Sequence, residues 1–371
     1  MRTGNKEQQV FHKSVTGASH QRKGIPCQDA STSWVSSDRK LKIIVVADGH
    51  GDQTCIRSDR GSAIAVSCAM QALRTFGEYY QDAPVLNAVT SEKYAGKRII
   101  RQLTDAILFD WSKQVKEDLR NDPLTEDEYE RADIYAEQYI NGIHVERAYG
   151  ATLVAALETE KYILLLQQGD GRCDVLYSDG TMAQPVPEDE RCEGNTTTSL
   201  SDEDAADGIR VVLISKASCR AAACFVSTDG VDNSFFEDED LREFYLEVCT
   251  RLAGCDTEAW PEYLQAQMEE VTRHGNGDDV SLAGIIDLSA MDLLAKEHLK
   301  ALEKKRMEEE RQQRQDQLQK LRQKREELQH KINDVSPFEQ GQIVHEYLQC
   351  VILYRELMEQ MVPTDVESDR R

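Results

Sequence analysis

The sequence predicts an α+β fold in which antiparallel strands alternate with helices, followed by a helical extension at the C-terminal end. One observation is a hairpin pattern, because the apolar runs 150–157 and 162–167 flank the short polar turn 159–161. A single helix across both runs is the weaker alternative. A second observation is the helical spacing of apolar residues over 58–80. The third is composition, since 290–332 contains no Gly or Pro and consists almost wholly of helix formers.

The strands and helices of the first half follow from apolar runs and turn residues. We expect strands over 11–18 and from 30 through Trp34, joined by a loop that turns at Gly24 and Pro26. The next apolar run, 43–47, is short and β-branched, which predicts a strand buried on both faces. After the helix over 58–80, two helical stretches between about 94 and 141 are interrupted at 121–123.

The second half continues the same alternation. Strands are expected over 172–177, 209–214, 222–227 and 280–288, and helices over 240–252 and 257–273. The polar segment 184–208 is too long for a simple connection, so it is either a functional flap or a mobile insertion.

Beyond position 288 the chain changes character. Ser289 with Asp292 resembles a capping box, and 289–332 reads as a long charged helix or an imperfect coiled coil. A second helix restarts at Ser336, with Pro337 in its first turn, so that 333–371 forms a C-terminal helix and tail. We therefore divide the chain into 1–288, 289–332 and 333–371.

Charge and composition restrict the classes of partner. The chain has 371 residues and a formal net charge of -23, which disfavours nucleic acid and anionic membranes because both would be repelled. The polar N-terminus and the lack of a long apolar stretch predict a soluble cytoplasmic protein. The ten cysteines include no CxxC pair, which favours reduced thiols over disulfides.

Acidic residues recur where apolar strands end or begin. Asp48 and Asp229 each follow such a run and precede a glycine, Asp278 opens the last strand, and Asp29 is a fourth candidate. A lone Asp-Gly is usually a turn. Carboxylates that converge from several strand ends would repel one another unless cations neutralise them, and hard oxygen ligands select Mg²⁺ or Mn²⁺.

The order of these motifs resembles one family, the bacterial metal-dependent Ser/Thr protein phosphatases of the 2C type. The resemblance covers roughly residues 11–288. It rests on six elements in the family's order: Gln28-Asp29-Ala30, Val46-Ala47-Asp48-Gly49-His50-Gly51, Gly150-Ala151-Thr152-Leu153, Gly169-Asp170-Gly171-Arg172, Ser227-Thr228-Asp229-Gly230 and Gly277-Asp278-Asp279-Val280-Ser281.

The resemblance implies a sandwich of two antiparallel β-sheets flanked by helices, with a centre of two Mn²⁺ or Mg²⁺ ions in a cleft at one end. By this resemblance, Asp48 bridges both ions, the Gly49 carbonyl is a ligand, and Asp229 and Asp278 hold one ion. Asp29 acts on the other ion, and Asp170 matches the position that helps to hold a third. A water activated by two cations can attack phosphorus in line.

The resemblance also assigns roles outside the metal centre. His50 is the candidate general acid for the leaving oxygen. The family often grips the substrate phosphate with an Arg about five residues before its first acidic position. Here Gly24 stands there, so Arg22 or Lys23 would have to substitute.

Three further departures concern the metals. Gln28 replaces a usual Glu, Asp279 stands where the family has Asn, and Gly171 replaces a Ser. For Asp232 a turn-capping role is preferred over metal binding, and for His20 a structural hydrogen bond is at least as plausible as a catalytic role. Thr196–Ser199 is either a flap that faces substrate or a solvated loop.

Two function hypotheses follow. The first is a signalling enzyme that hydrolyses phosphoserine and phosphothreonine in proteins and opposes a Ser/Thr kinase. The alternative is a catalytically weak scaffold of the same fold that binds a partner, or a second copy of itself, through 290–361. The acidic residues at the strand ends favour the first, because a scaffold has no need of converging carboxylates.

Overall fold

Two five-stranded antiparallel sheets form the centre of the structure, a computed structural model that describes residues 9–81, 94–192, 194, 196–254, 259–334, 336 and 340–360. The strand order is β1-β10-β9-β6-β7 in the first sheet and β2-β3-β4-β5-β8 in the second. The strands are β1 (Gln9–Val15), β2 (Ala30–Val35), β3 (Lys42–Ala47), β4 (Leu153–Glu158), β5 (Tyr162–Gln168), β6 (Arg172–Tyr177), β7 (Met182–Ala183), β8 (Arg210–Ser215), β9 (Ala221–Ser227) and β10 (Val280–Ile286). The predicted α+β fold with two antiparallel sheets and flanking helices is confirmed.

The helices lie outside the sheets and after them. They are α1 (Ala18–Lys23), α2 (Ser58–Tyr79), α3 (Tyr94–Asn121), α4 (Glu126–Arg131), α5 (Ala136–Ile140), α6 (Ala205–Gly208), α7 (Asp229–Asp232), α8 (Asp238–Gly254), α9 (Trp260–His274), α10 (Leu288–Asp334) and α11 (Gln340–Gln360), with 3₁₀ turns at Asp133–Tyr135 and Val145–Tyr149.

Strand β3 shows why its sequence is an unbroken apolar run. Ile43 and Val45 pack into the core between the second sheet and helices α2 and α3. Ile44 and Val46 point the other way, into the core between the two sheets. Successive side chains of a strand face opposite sides, so a strand buried on both faces needs apolar residues at every position.

A third core lies on the outer face of the first sheet. It contains Tyr245 of α8, Leu264 and Met268 of α9, and Met291 and Leu294 from the start of α10. The first turns of α10 are therefore part of this packing. Compactness divides the chain accordingly, into one unit that ends at Lys296 and another that begins at Glu297.

The hairpin and the N-terminal loop differ in how well the sequence predicted them. Strands β4 and β5 pair antiparallel from Leu153 with Gln168 to Glu158 with Ile163, so the hairpin is confirmed and the single-helix alternative is wrong. The predicted loop after β1 instead begins with the short helix α1, which ends at Gly24 in the left-handed region with φ 68°. Glycine adopts this conformation without strain, which is why it ends helices so often.

The start of α10 is capped by a different residue from the one predicted. The Asp287 carboxylate accepts hydrogen bonds from the Ser289 N–H at 2.9 Å and the Ala290 N–H at 3.1 Å. The capping box assigned to Ser289 is therefore wrong, because the helix already begins at Leu288. An aspartate just before the first turn satisfies the free N–H groups as well as a serine would.

The second compact unit contains the rest of α10 and α11. Within it, the Arg325 guanidinium lies 5.4 Å from the centre of the Tyr354 ring, so the two helices meet there. The predicted restart at Ser336 falls mostly outside the described residues, as do Pro337 and the tail 361–371.

Two further expectations concern membranes and thiols. None of the helices in the described ranges combines the length and the apolar character that a membrane span requires. The cysteines of the described segments, which leave out Cys255, are all free thiols.

Candidate active site

Strand pairing brings the predicted acidic residues to one end of the sandwich. Ala30 pairs with Ala47, so Asp29, just before β2, lies beside Asp48, just after β3. In the other sheet Leu282 pairs with Ser227, so Asp278, before β10, lies beside Asp229, after β9. Antiparallel neighbours place the end of one strand next to the start of the other. Residues far apart in sequence therefore meet at one edge.

A cavity of about 860 Å³ opens at this end. Five of the predicted site residues line it: Asp48, His50, Asp170, Asp229 and Asp278. Asp29 is 8% exposed, and its carboxylate lies close enough to Asp48 to raise the pKa of that residue, after the larger effect of burial. The structure thus brings the predicted acidic residues together around one site.

The carboxylates are held close enough to oppose one another's ionisation. Burial and the neighbouring Asp29 and Asp229 carboxylates raise the pKa of Asp48 well above its usual range. Burial raises the pKa of Asp29 to about 8 and that of Asp229 to about 6. Buried like charges favour protonated forms unless a cation is present.

Several polar atoms of the site lack a protein partner. The Asp29 Oδ2 atom accepts a hydrogen bond from the Thr228 hydroxyl at 2.8 Å, but Oδ1 is buried without one. The Asp170 Oδ1 and His50 Nε2 atoms are buried without a hydrogen-bond partner as well. Buried polar atoms are normally paired, so these three are available to a ligand or ion.

The glycines of two motifs allow backbones to approach closely. A Cβ atom on Gly230 would lie 2.0 Å from the Asp279 carbonyl oxygen, and one on Gly49 would lie 2.5 Å from the Ser58 carbonyl oxygen. No side chain fits at either place. These contacts draw α7 against β10 and the loop after β3 against α2, and so fix Asp229 and Asp48.

Thr152 holds the backbone of Asp48 from the neighbouring strand. Its hydroxyl accepts a hydrogen bond from the Asp48 N–H at 3.0 Å, and its own N–H donates to the Asp48 carbonyl at 2.8 Å. This explains physically why a Gly-Ala-Thr motif accompanies the acidic one.

His50 lies against the chain that precedes β4. Its N–H donates to the Gly150 carbonyl at 3.2 Å, and a Cβ on Gly150 would lie 2.8 Å from the His50 Cδ2 atom. Burial lowers the pKa of His50. The imidazole thus lies at the wall of the cavity, where it could exchange a proton with a bound ligand.

The two predicted phosphate-gripping residues lie elsewhere. Arg22 and Lys23 are exposed on α1, and neither is among the described residues that line the cavity. Asp232 pairs with the Arg172 guanidinium at 2.9 Å. The His20 Nδ1 atom lies 3.0 Å from the Asp279 carboxylate, an arrangement that suits a structural role.

Asp279 has a positioning role that the sequence did not indicate. Its two carboxylate oxygens accept hydrogen bonds from the Gly17 N–H and the Gln28 N–H, each at 2.6 Å. It thereby ties the segments before and after α1 to the start of β10 and sets the position of Asp29. Nothing local marks this role, because both partners lie more than 250 residues away along the chain.

The flap and one further wall also face the cavity. Thr196, Thr197 and Ser199 line it, and the Thr198 hydroxyl accepts a hydrogen bond from the Gly169 N–H at 3.0 Å. Of the two interpretations of Thr196–Ser199, a flap that faces substrate agrees with this placement. Residues 132–135 and Arg147, which the sequence did not single out, line the cavity as well.

The acidic side chains of the site form the candidate donor set for divalent cations. Among the described residues, no three His, Cys, Asp or Glu side chains are arranged so that they alone could hold a metal ion. The residues present nonetheless offer carboxylate oxygens, which Mg²⁺ and Mn²⁺ prefer, and two of these oxygens are buried without a partner. The chemistry of the set therefore fits such ions.

Comparison with solved structures gives distant matches. Stp1, a serine/threonine phosphatase from Staphylococcus aureus, is 15% identical, with 77% of this chain and 97% of Stp1 covered and a TM-score of 0.44. PppA, described as a regulatory component of T6SS in Pseudomonas aeruginosa, is 16% identical, with 75% and 97% covered and a TM-score of 0.44. The catalytic domain of the phosphatase PstP, in complex with two manganese ions, is 14% identical, with 75% and 97% covered and a TM-score of 0.42.

Comparison at the level of sequence gives a family. No curated protein matches the chain. The family model described as Protein phosphatase 2C matches residues 16–271, which is well over half of the chain and contains every predicted site residue except Asp278. The chain therefore belongs to the protein phosphatase 2C family, and is a protein serine/threonine phosphatase.

Proposed function

We propose that this chain hydrolyses phosphoserine and phosphothreonine in proteins with a water activated by two Mn²⁺ or Mg²⁺ ions. The observation that carries the proposal is the convergence of carboxylates from both sheets on one cavity, with the Asp29 and Asp170 Oδ1 atoms buried and unpaired. Burial and the repulsion of neighbouring carboxylates raise the pKa of Asp48, and cations that neutralise this cluster would offset both effects.

The residues that would hold the ions follow from the motifs and from the convergence of the strand ends. Asp48 would serve both ions and the Gly49 carbonyl would be a ligand, Asp229 and Asp278 would hold one ion, and Asp29 would act on the other. Asp170 would help to hold a third. Bound in this way, the ions would neutralise phosphate charge and supply an activated water.

A complete protein cage is not needed for such ions. Mg²⁺ keeps several of its waters and is commonly bound through one or two carboxylates together with substrate phosphate. The carboxylates of Asp48 and Asp229, which lie close enough for the second to raise the pKa of the first, would be enough for such an ion.

His50 supplies the proton-transfer step in this proposal. Its Nε2 atom is buried at the cavity without a protein partner, so it can donate a proton to the leaving serine or threonine oxygen. The backbone bond to Gly150 fixes its position. Gripping of the phosphate by Arg22 or Lys23 stays a prediction, as do the cytoplasmic location and the opposing kinase.

The test is turnover of p-nitrophenyl phosphate and of a phosphothreonine peptide with and without Mn²⁺. We expect activity only with the metal, and a loss of at least 100-fold in Asp48→Asn, because that residue is assigned to both ions. Asp52→Asn is the matched control: Asp52 also lines the cavity, but its carboxylate accepts a hydrogen bond from the Thr54 N–H at 2.7 Å.

Metal binding is checked apart from turnover. Mn²⁺ should raise the melting temperature of the wild type and of Asp52→Asn but not that of Asp48→Asn, because a ligand that binds only the folded state stabilises it. Turnover without metal, or an unimpaired Asp48→Asn, would contradict the mechanism. Metal binding without turnover would favour the scaffold alternative.

For the C-terminal helices we propose an association role. On α11, Val344, Leu348 and Ile352 are spaced by four residues and are exposed, so they form one apolar stripe. The measurement is the molecular mass in solution of the full chain against a chain that ends at position 296. A mass of one copy for both would refute self-association and leave binding of another protein.

A further inference from the structure

Arg147 is the one lysine or arginine among the described residues that line the catalytic cavity. The same lining is otherwise strongly acidic. Its aspartates are Asp48, Asp52, Asp133, Asp170, Asp202, Asp229 and Asp278. Every substrate of a phosphatase brings a phosphate anion into this field, and two cations alone leave several of these carboxylates uncompensated. A fixed positive side chain is therefore needed near the phosphate.

The segment where the family carries its phosphate-gripping arginine does not supply one. Gly24 stands at that position, and a Cβ there would meet nothing within 4 Å. The neighbouring cations Arg22 and Lys23 are exposed on α1 and lie outside the lining of the cavity. Among the described residues that line the cavity, the lysine or arginine present is Arg147.

The backbone of Arg147 is fixed relative to His50. Arg147 belongs to the 3₁₀ turn Val145–Tyr149, which leads directly into the Gly150 contact with His50. The next residue along the chain, Ala148, accepts a hydrogen bond from the Arg57 N–H at its carbonyl, at 2.8 Å. The residues that directly follow Arg147 are thus bonded to the segment that follows Asp48.

The side chain of Arg147 is oriented by aromatic rings. Its guanidinium carbon lies 5.4 Å from the centre of the Tyr135 ring, and Tyr135 stacks on Tyr139 with ring centres 6.4 Å apart. The Tyr139 hydroxyl donates to the Thr54 carbonyl at 2.8 Å, which ties these rings to the loop after His50. A cation over an aromatic face is held there without using its N–H donors.

The donors of Arg147 remain available. Buried arginines of the first unit are paired, as Arg57 is with Glu128 and Arg172 with Asp174. Arg147 is exposed and forms no ion pair within the described part of the chain. A planar guanidinium with free donors matches the oxygens of a phosphate in a two-pronged hydrogen bond.

We propose that Arg147 binds the phosphate of the substrate, in place of the arginine that the family carries near Gly24. The guanidinium donates hydrogen bonds to the non-bridging oxygens while His50, which lines the same cavity, faces the leaving oxygen. This assignment rests on the proposed function of the cavity. It predicts that Arg147 also binds inorganic phosphate, the product of the reaction.

The probe is inorganic phosphate with Mg²⁺ present, measured as a competitive inhibitor of p-nitrophenyl phosphate hydrolysis and by calorimetric titration. In Arg147→Ala the inhibition constant, the dissociation constant and KM should each rise about tenfold or more, as expected for loss of a charged hydrogen bond. Arg147→Lys should recover part of the lost phosphate affinity, because lysine keeps the positive charge but lacks the planar guanidinium that donates two parallel hydrogen bonds. Arg120→Ala, which removes an exposed arginine on α3, should behave as the wild type.

Other outcomes overturn the assignment. Unchanged phosphate binding in a folded Arg147→Ala protein would overturn it. A double variant Arg22→Ala/Lys23→Ala that weakens phosphate binding more than Arg147→Ala does would overturn it as well. A loss confined to the phosphothreonine peptide would show that Arg147 contacts the peptide instead. If the wild type lacks metal-dependent turnover, the proposed function fails, but the calorimetric titration still decides for or against Arg147.

Discussion

The Glu128 carboxylate holds the buried guanidinium of Arg57, and Glu128→Gln tests how much this pair stabilises the fold. Arg57 is 2% exposed. Its Nε and Nη2 atoms donate to Glu128 at 2.6 and 2.8 Å. The same carboxylate closes a capping box at the start of α4, because it accepts a hydrogen bond from the Thr125 N–H at 2.8 Å.

The magnitude follows from the pKa of the carboxyl group. The hydrogen bonds from Arg57 lower the pKa of Glu128 from 4.5 to about 2. Each unit corresponds to about 1.4 kcal/mol, so ionised Glu128 stabilises the fold by up to about 3 kcal/mol. Glutamine has no charge but keeps one oxygen that can accept a hydrogen bond from Arg57. We therefore expect the free energy of unfolding of Glu128→Gln to be about 2 to 3 kcal/mol lower than that of the wild type at pH 7.

The pH dependence has a definite sign. A carboxyl group with a depressed folded-state pKa contributes its full stabilisation above its unfolded value of 4.5 and loses it as the pH falls toward 2. The difference in unfolding free energy between wild type and Glu128→Gln should therefore shrink by about 2 kcal/mol between pH 7 and pH 3, to about 1 kcal/mol or less.

The assay is urea unfolding followed by tryptophan fluorescence. The three tryptophans, Trp34, Trp111 and Trp260, all lie in the first compact unit, so the signal reports on that unit. The control is Glu78→Gln, which removes an exposed pair with Arg74 and should change stability by less than about 0.5 kcal/mol. The stabilising role of the Arg57–Glu128 pair is refuted if Glu128→Gln loses no more stability than Glu78→Gln. It is also refuted if the stability difference between wild type and Glu128→Gln does not become smaller at low pH.

Three further changes test the packing around the site. Gly230→Ala places a Cβ 2.0 Å from the Asp279 carbonyl and should weaken the Mn²⁺-induced rise in melting temperature, whereas Gly51→Ala, with its nearest neighbour at 3.7 Å, should preserve it. Asp279→Asn replaces one of the two carboxylate oxygens that accept hydrogen bonds from the Gly17 and Gln28 N–H groups. The free energy of unfolding in urea should therefore fall by about 1 to 3 kcal/mol, and an unchanged value would contradict this positioning role of Asp279. A chain that ends at position 288 lacks the fully buried Met291, so its free energy of unfolding should be about 2 to 5 kcal/mol lower than that of a chain that ends at 296. Equal stabilities of the two chains would contradict the packing of α10.

Some details of the fold could have been found with local signals. Thr125 followed by Glu128 is a capping-box pattern, and the structure contains that box. Asp287 before the first turn of α10 is an equally ordinary cap. The helix α1 could not be found in this way, because six residues are too few to show helical periodicity.

The sequence by itself determined the longer strands and the identity of the acidic residues, but not the two-residue strand β7. Each buried strand needs an apolar run, and each run is visible in the sequence, so the ends where Asp48 and Asp229 stand are visible too. Only the tertiary structure decided which other residues join them. Asp279 reaches Gly17 across 262 positions, and Arg147 lines the same cavity as His50, whose ring fits only because Gly150 has no side chain. Such neighbours result from strand pairing and close backbone contact, which no local pattern records.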